Sequence, residues 1–216
     1  MQAGLISGLV LAGGRGSRMG NVDKGLQPFR SSTMVEQVLA RLRPQVGSLA
    51  ISANRNLDTY RGFGAPVLTD EMADFPGPLA GLETGLRHCA TPYLLTVPCD
   101  SPFLPSDLAA RLFAALQEHD ADVAYAATQA AGMPVQPHPV FCLVRADRLP
   151  SLSAYLAAGG RSVEGWLRDV NAVDVVFDDA DAFRNINTLD ELRQLEQPAF
   201  PASLAQVASC INGYDP

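Results

Sequence analysis

Four glycines fall within eight residues, Gly13, Gly14, Gly16 and Gly20, directly after the apolar run Ile6 to Ala12. This junction constrains the chain more than any other feature. A buried strand must run into a loop whose backbone turns sharply and lets something approach closely. Glycine permits both because it has no Cβ. Successive backbone N–H groups in such a loop can form an anion-binding concavity. Arg15, Arg18 and Lys24 add positive charge, so the expected guest is a polyphosphate. Two common phosphate motifs are excluded. No Gly-Lys-Ser/Thr occurs, and a G-x-G-x-x-G reading begun at Gly14 meets Met19 at its sixth position.

The wider composition narrows what that anion can be. A chain of 216 residues has room for one domain with a sizeable core. Hydrophobic content of 47% with 18% charged residues belongs to a globular protein. The formal net charge of −7 argues against nucleic acid or an acidic membrane as partner. An anionic substrate must therefore be caught by local charge. The chain has 15 arginines and one lysine, and that lysine is Lys24. Lysine is a compact point charge and arginine a planar fork, so a phosphate site that needs the former would keep it. Cys89, Cys99, Cys142 and Cys210 are scattered without a C-x-x-C spacing, which speaks against a zinc site or a disulfide framework. No targeting segment is recognisable, and no apolar run approaches the ~20 residues of a membrane span. A cytoplasmic protein is expected.

Along the chain, strand and helix patterns alternate. Strands are predicted at Ile6–Ala12, Leu49–Ala53, Ala65–Thr69, Tyr93–Val97, Asp122–Ala127, Val140–Val144 and Val173–Phe177. Tyr93–Val97, apolar and bounded by Pro92 and Pro98, reads as a central parallel strand. Helices are predicted at Met34–Arg43, Leu79–Cys89, Leu149–Ala158 and Val163–Arg168, with a helical turn at Thr59–Phe63. Ser106 or Asp107 is placed to cap a helix reaching Glu118. A closing helix at Thr188–Glu196 opens on a capping box of Thr188 and Glu191. The expected fold class is α/β, a three-layer α/β/α sandwich with a Rossmann-like, mostly parallel sheet. One domain is expected over residues 1–197, with 198–216 as a C-terminal tail.

In such sheets ligands bind beyond the carboxyl ends of the strands. That rule lines up the Gly-rich loop, Ser52 to Arg55, Asp70 and Pro98 to Asp100 along one rim. Asp100, facing bound phosphates, would hold Mg²⁺, which takes one or two carboxylates plus substrate phosphates. A turn or cap role before Ser101-Pro102 is the plainer alternative. Asp70 could accept hydrogen bonds from the N1–H and 2-amino group of guanine, or be a solvated loop acid. Cys99 reads as a small buried hydrophobe rather than a nucleophile. His138 reads as structural, and Asp178, Asp179 and Asp181 as a solvated acidic face. Asn185 and Asn187 flank Ile186, which in an extended stretch puts both amides on one side.

These residues carry a resemblance. Leu11-Ala12-Gly13-Gly14, Arg18-Met19-Gly20 and Asp23-Lys24-Gly25-Leu26 resemble the signature loop of GT-A-like nucleotidyltransferases. Asp74 to Gly81, Pro98-Cys99-Asp100, His138-Pro139, Gly159-Gly160-Arg161 and Phe183 to Thr188 narrow it. The chain resembles the molybdenum cofactor guanylyltransferases, the MobA family, from about residue 8 to 196. The resemblance implies a nucleotide-diphospho-sugar transferase-like fold. It also implies a Mg²⁺-dependent transfer of GMP from GTP to molybdenum-bearing molybdopterin, with release of pyrophosphate. By the same resemblance, Leu11, Ala12, Gly13, Gly14, Lys24, Ser52, Asp70 and Asp100 would contact the nucleotide, and Asp100 the metal. Lys24, Arg18 and Asp100 would be catalytic, and Asn185 and Asn187 would hold the pterin. The family has Asn where this chain has Ser52, a shorter side chain with one hydroxyl, and Asn54 stands nearby to compensate. Transient contact with molybdoenzyme apoproteins or their chaperones is a further expectation. The alternatives are a cytidylyltransferase acting on the same cofactor and a non-catalytic cofactor carrier.

Overall fold

A computed structural model of the chain describes residues 2–13, 22–70, 77–186 and Glu191. The first strand, β1 (Ile6–Leu11), is followed after the Gly-rich stretch by a 3-10 turn over Lys24–Leu26. A small hairpin, β2 (Pro28–Phe29) with β3 (Ser32–Thr33), turns through Arg30 at φ 55° and leads into α1 (Met34–Leu42). Then come β4 (Ser48–Ser52), α2 (Leu57–Arg61), β5 (Val67–Leu68), α3 (Pro78–Arg87) and β6 (Tyr93–Pro98). The second half carries α4 (Leu108–Glu118), β7 (Val123–Thr128), β8 (Gln136–Arg145), α5 (Leu149–Ala157), α6 (Val163–Leu167) and β9 (Ala172–Phe177).

Seven strands form one sheet in the order β5-β4-β1-β6-β8-β7-β9. All neighbours are parallel except β8, which runs antiparallel between β6 and β7. The predicted alternation gives the parallel units, but a short apolar run does not announce its direction. β8 is also twice the predicted length. Tyr125 pairs with Cys142, and the next residue, Ala126, pairs with His138. The skipped stretch contains Pro139, and Pro137 follows in the ladder; neither can donate a hydrogen bond to it. The irregularity turns Val140 towards the strand ends where the cavity lies.

Period-two alternation sends successive residues of the central strands to opposite faces. Ile6 and Val10 of β1, Ile51 of β4, and Leu95 and Val97 of β6 face one cluster with Val38, Leu39, Leu42, Leu108 and Leu112. Leu9 and Leu94 face the other, with Leu79, Leu82, Leu86, Leu152, Leu156 and the fully buried Trp166. Two helical layers thus sandwich the sheet, as expected. Helix α3 approaches closely at Gly85, where a Cβ would lie 2.5 Å from Leu9 Cδ2. A third cluster of Phe29, Met34 and Ile186, with Phe103 against it, ties the hairpin to the end of the described chain.

Local details depart from expectation. Helix α1 begins with a full capping box. The Thr33 hydroxyl accepts from Glu36 N, and Glu36 accepts from Thr33 N at 2.8 Å. The Thr-x-x-Glu signal stands at Thr33 as plainly as at Thr188; of the predicted closing helix only Glu191 is among the described residues, and Thr188 lies outside them. Asp107 occupies the N-cap of α4 but its side chain makes no capping hydrogen bond. Asp179 is exposed as expected, and it also caps a short 3-10 turn by accepting from Asp181 N and Ala182 N.

Candidate active site

The carboxyl ends of β5, β4, β1 and β6 lie side by side, so the rim residues meet there. The segments are zipped just past the strands. Ala12 N donates to Ser52 O at 2.7 Å, Ala53 N to Leu68 O at 3.0 Å, and Cys99 N to Leu11 O at 3.1 Å. Beyond them opens a cavity of about 280 Å³. Leu11, Ala12, Gly13, Lys24, Ser52, Asp70, Asp100 and Asn185 all line it. Gly77, Pro78 and Gly81 at the start of α3 close one side. Gly14, Arg18 and Asn187 lie outside the described residues.

At one side of the cavity, Lys24 Nζ donates to Asp100 Oδ2 at 3.0 Å. The pair is largely shielded, with 21% and 12% of the two side chains exposed. Asp100 is also held by its backbone, because its carbonyl accepts from Ile186 N at 2.9 Å. Ser101 Oγ donates to Asn185 Oδ1 at 2.5 Å. The segment around Asn185 is thereby fastened beside Asp100, and its exposed amide stands at the cavity edge.

At the other side stands Asp70, which is far from a free loop acid. Asn54 Nδ2 donates to its Oδ2 at 2.7 Å, while Thr84 and Ser52 donate to Oδ1 at 3.4 and 3.5 Å. Asp70 N donates in turn to Asn54 Oδ1 at 2.9 Å. Asn54 and Ser52 thus both hold the Asp70 carboxylate. Gly13 packs closely opposite, where a Cβ would lie 3.2 Å from Asn54 Nδ2. Gly81 is needed, because a Cβ there would lie 2.8 Å from Ser52 Oγ and 2.7 Å from Leu11 Cδ2.

Cys99 is buried, and desolvation pushes its thiol well up, with the Asp100 and Asp23 carboxylates adding to the rise. It is no nucleophile. His138 is structural as expected. Its Nε2 shares a hydrogen bond with Thr128 Oγ1 at 2.9 Å, and its ring stacks on Phe183 at 5.0 Å. Burial lowers its pKa. Arg161 bonds the carbonyls of Leu156 and Gly160 and is not among the cavity-lining residues.

Sequence reasoning missed a supporting network. Asp23 is 7% exposed and accepts from the Tyr60 hydroxyl at 2.6 Å and from Asn56 Nδ2 at 3.0 Å. Arg55 Nε lies 3.7 Å from the same carboxylate. The Asp-Lys pair was visible in sequence, but its partners lie over 30 residues away and have no local signature.

Comparison with known proteins shows the family and the fold. Residues 8–173 match the model of the MobA-like NTP transferase domain. A molybdenum cofactor guanylyltransferase of Cupriavidus necator is 56% identical over 191 residues, covering 88% of this chain and 96% of that protein. One from Ralstonia nicotianae is 56% identical over 196 residues, covering 89% and 96%. Among solved structures, molybdopterin-guanine dinucleotide biosynthesis protein A of Archaeoglobus fulgidus superposes with a TM-score of 0.71 at 22% identity, covering 88% and 96%. A 4-diphosphocytidyl-2C-methyl-D-erythritol synthase of Anaerococcus prevotii reaches 0.68 at 12% identity, covering 90% and 97%. Likeness at those identities shows the nucleotide-diphospho-sugar transferase-like fold, and the much closer relatives narrow it: the chain belongs to the MobA-like nucleotidyltransferases, among the molybdenum cofactor guanylyltransferases.

Proposed function

We propose that the cavity takes GTP and the terminal phosphate of molybdenum-bearing molybdopterin, and joins GMP to that phosphate. The observation that carries this reading is the Lys24–Asp100 pair facing a cavity whose other side presents the anchored carboxylate of Asp70. An oxygen of the pterin phosphate attacks the α-phosphorus of GTP. The bond from that phosphorus to the bridging oxygen breaks, and pyrophosphate leaves. The attacking group is already an anion, so the protein supplies neither nucleophile nor strong base. Its work is alignment and charge compensation.

Lys24 meets the triphosphate, assisted by the backbone amides after Gly13, by Gly14 and by Arg18. Asp70 reads the guanine edge, supported by Ser52 and Asn54. The side with Asn185 and Asn187 takes the pterin, so that residues 1–197 act as one unit and 198–216 as a tail.

The donor set fits Mg²⁺. Asp100 stands beside Lys24 at the cavity, Asp70 and Asp23 on the same lining are engaged by Asn54 and by Tyr60 and Asn56, and no cluster of three metal-ligating side chains occurs among the described residues. An ion that takes one or two carboxylates and completes its shell with phosphates and water suits this. Bound there, it would offset negative charge on the phosphates as the bond changes. No helix among the described residues is long and apolar enough to cross a membrane. A cytoplasmic setting, where GTP and Mg²⁺ are abundant, and transient contact with apoenzymes or their chaperones suit the product.

The test is direct. The protein is incubated with each labelled nucleoside triphosphate, Mg²⁺ and molybdenum-bearing molybdopterin. GMP transfer is expected, and CMP transfer exceeding it would overturn the guanylyl assignment.

A further inference from the structure

Three consecutive residues connect the two sides of the cavity. Asn54 grips Asp70 twice, donating to Oδ2 at 2.7 Å and accepting from its N–H at 2.9 Å. Arg55 donates from Nη2 to Val22 O at 3.2 Å and pairs with Asp23. Asn56, held in the left-handed region at φ 51°, donates to Asp23 Oδ2. The next residue is Lys24. On its far side Gly25 is equally fixed, since a Cβ there would lie 2.7 Å from the Tyr60 hydroxyl and 3.2 Å from Cys99 Sγ. Both neighbours of Lys24 are thus clamped to α2 and to the end of β6, and Lys24 points between them at Asp100.

We propose that the Asn54–Asn56 turn couples occupancy of Asp70 by a base to the position of Lys24, with Asp23 as the positioning residue between them. This rests on the reading of Asp70 as the base contact and Lys24 as the phosphate contact. A base edge bonded to Asp70 competes for the oxygens that Asn54, Ser52 and Thr84 now share. Any shift of Asn54 is passed through two rigid peptide units to the partners of Asp23. Two hydrogen-bonded groups, Asn54 on Asp70 and Asn56 with the buried Tyr60 on Asp23, are joined by the backbone of residues 54–56, and a displacement can pass along it. Its consequence is that the correct base raises turnover as well as affinity, because it places the charge that meets the phosphates.

Lys24 is the sole lysine, so acylation by an amine-reactive reagent can be followed there alone by peptide mass spectrometry. The probe is guanosine, which has no phosphate, with a chelator present and binding measured by equilibrium dialysis. Guanosine is expected to change the acylation rate of Lys24 by at least about fivefold, the low end of ordinary allosteric coupling. The Asn56→Gly variant keeps the positive φ and removes the amide. It is expected to bind guanosine normally, to lose the rate change, and to show a lower kcat for GTP with a smaller change in KM. The coupling is overturned if guanosine binds the wild type without altering the rate, or if the rate change survives in Asn56→Gly, which would mean direct shielding. If cytidine binds and guanosine does not, the guanine reading of Asp70 falls, and the same comparison made with cytidine decides the coupling.

Discussion

Lys24 Nζ and Asp100 Oδ2 lie 3.0 Å apart, one reaching from the loop after β1 and the other from the end of β6. Their backbones are 76 residues apart in sequence and neighbours only because β1 and β6 are paired. The two charges neutralise each other at the edge of the cavity. On the proposed function each partner would have a substitute in the working complex, phosphate for the lysine and a cation for the aspartate. Removing either should cost far more in turnover than in stability. We expect Asp100→Ala to lower kcat by at least about a hundredfold, the scale of losing a charge-stabilising group, with the melting temperature little changed. Wild-type turnover in that variant would favour the carrier alternative. Lys24→Arg tests the point charge, and near-normal rates would show that a planar fork serves as well.

Asp70→Asn should weaken selection for guanine. The variant keeps the shape and one acceptor, but the amide now presents N–H groups where guanine has donors. Hydrogen bonds to a charged acceptor are worth about 1.5–3 kcal/mol each. The expected loss in kcat/KM for GTP is therefore roughly ten- to a hundredfold, with a smaller loss for ITP, which lacks the 2-amino group. Steady-state kinetics on the two nucleotides checks it. An equal loss on both would place Asp70 away from that edge.

Gly81 and Gly85 sit one helical turn apart on α3 and should fail differently. A methyl at Gly85 would meet Leu9 and Leu94, both buried in the core. Overpacking of this kind costs about 1–3 kcal/mol, so Gly85→Ala should lower the melting temperature by several degrees. A methyl at Gly81 would meet Leu11 and Ser52, which line the cavity. Gly81→Ala should raise KM for GTP more than it lowers stability. Thermal melts and kinetics on the two variants separate the effects.

His138 gives the fold a pH dependence. Burial lowers its folded-state pKa below the ordinary value of 6.5. Between the two values the unfolded chain binds more protons, so stability rises with pH across that window. The contribution is complete above about pH 6.5, the unfolded value, and is lost as the pH falls towards the folded one. Melting temperatures measured from pH 7.5 down to 5 should decline, and His138→Gln should flatten that decline. An unchanged slope in the variant would assign it to other groups.

The periodicities of this chain determined most of its architecture. Ile6–Ala12 and Tyr93–Val97 read as buried strands because an apolar run between turn residues has few other uses, and the strands run over Ile6–Leu11 and Tyr93–Pro98. Helices predicted at Met34–Arg43 and Leu79–Cys89 from their apolar stripes are found at Met34–Leu42 and Pro78–Arg87. The rule that ligands gather beyond the strand ends places Gly13, Ser52, Asp70 and Asp100 on one rim, and all four line one cavity. The sequence by itself could not set the direction of β8, because hydrophobic runs carry no polarity and only the pairing of Thr96 with Cys142 decides it. Nor could it show that Asp70 is anchored by Asn54 and Thr84, or that Asp23 is clamped by Tyr60 and Asn56. Those contacts join residues between 14 and 37 positions apart, and a hydrogen bond depends on distance in space. The glycines and Lys24 raised the expectation of an anionic guest; only the packing of α2 and of the end of β6 around Asp23 and Gly25 decided how the lysine is aimed, because those contacts exist only in space.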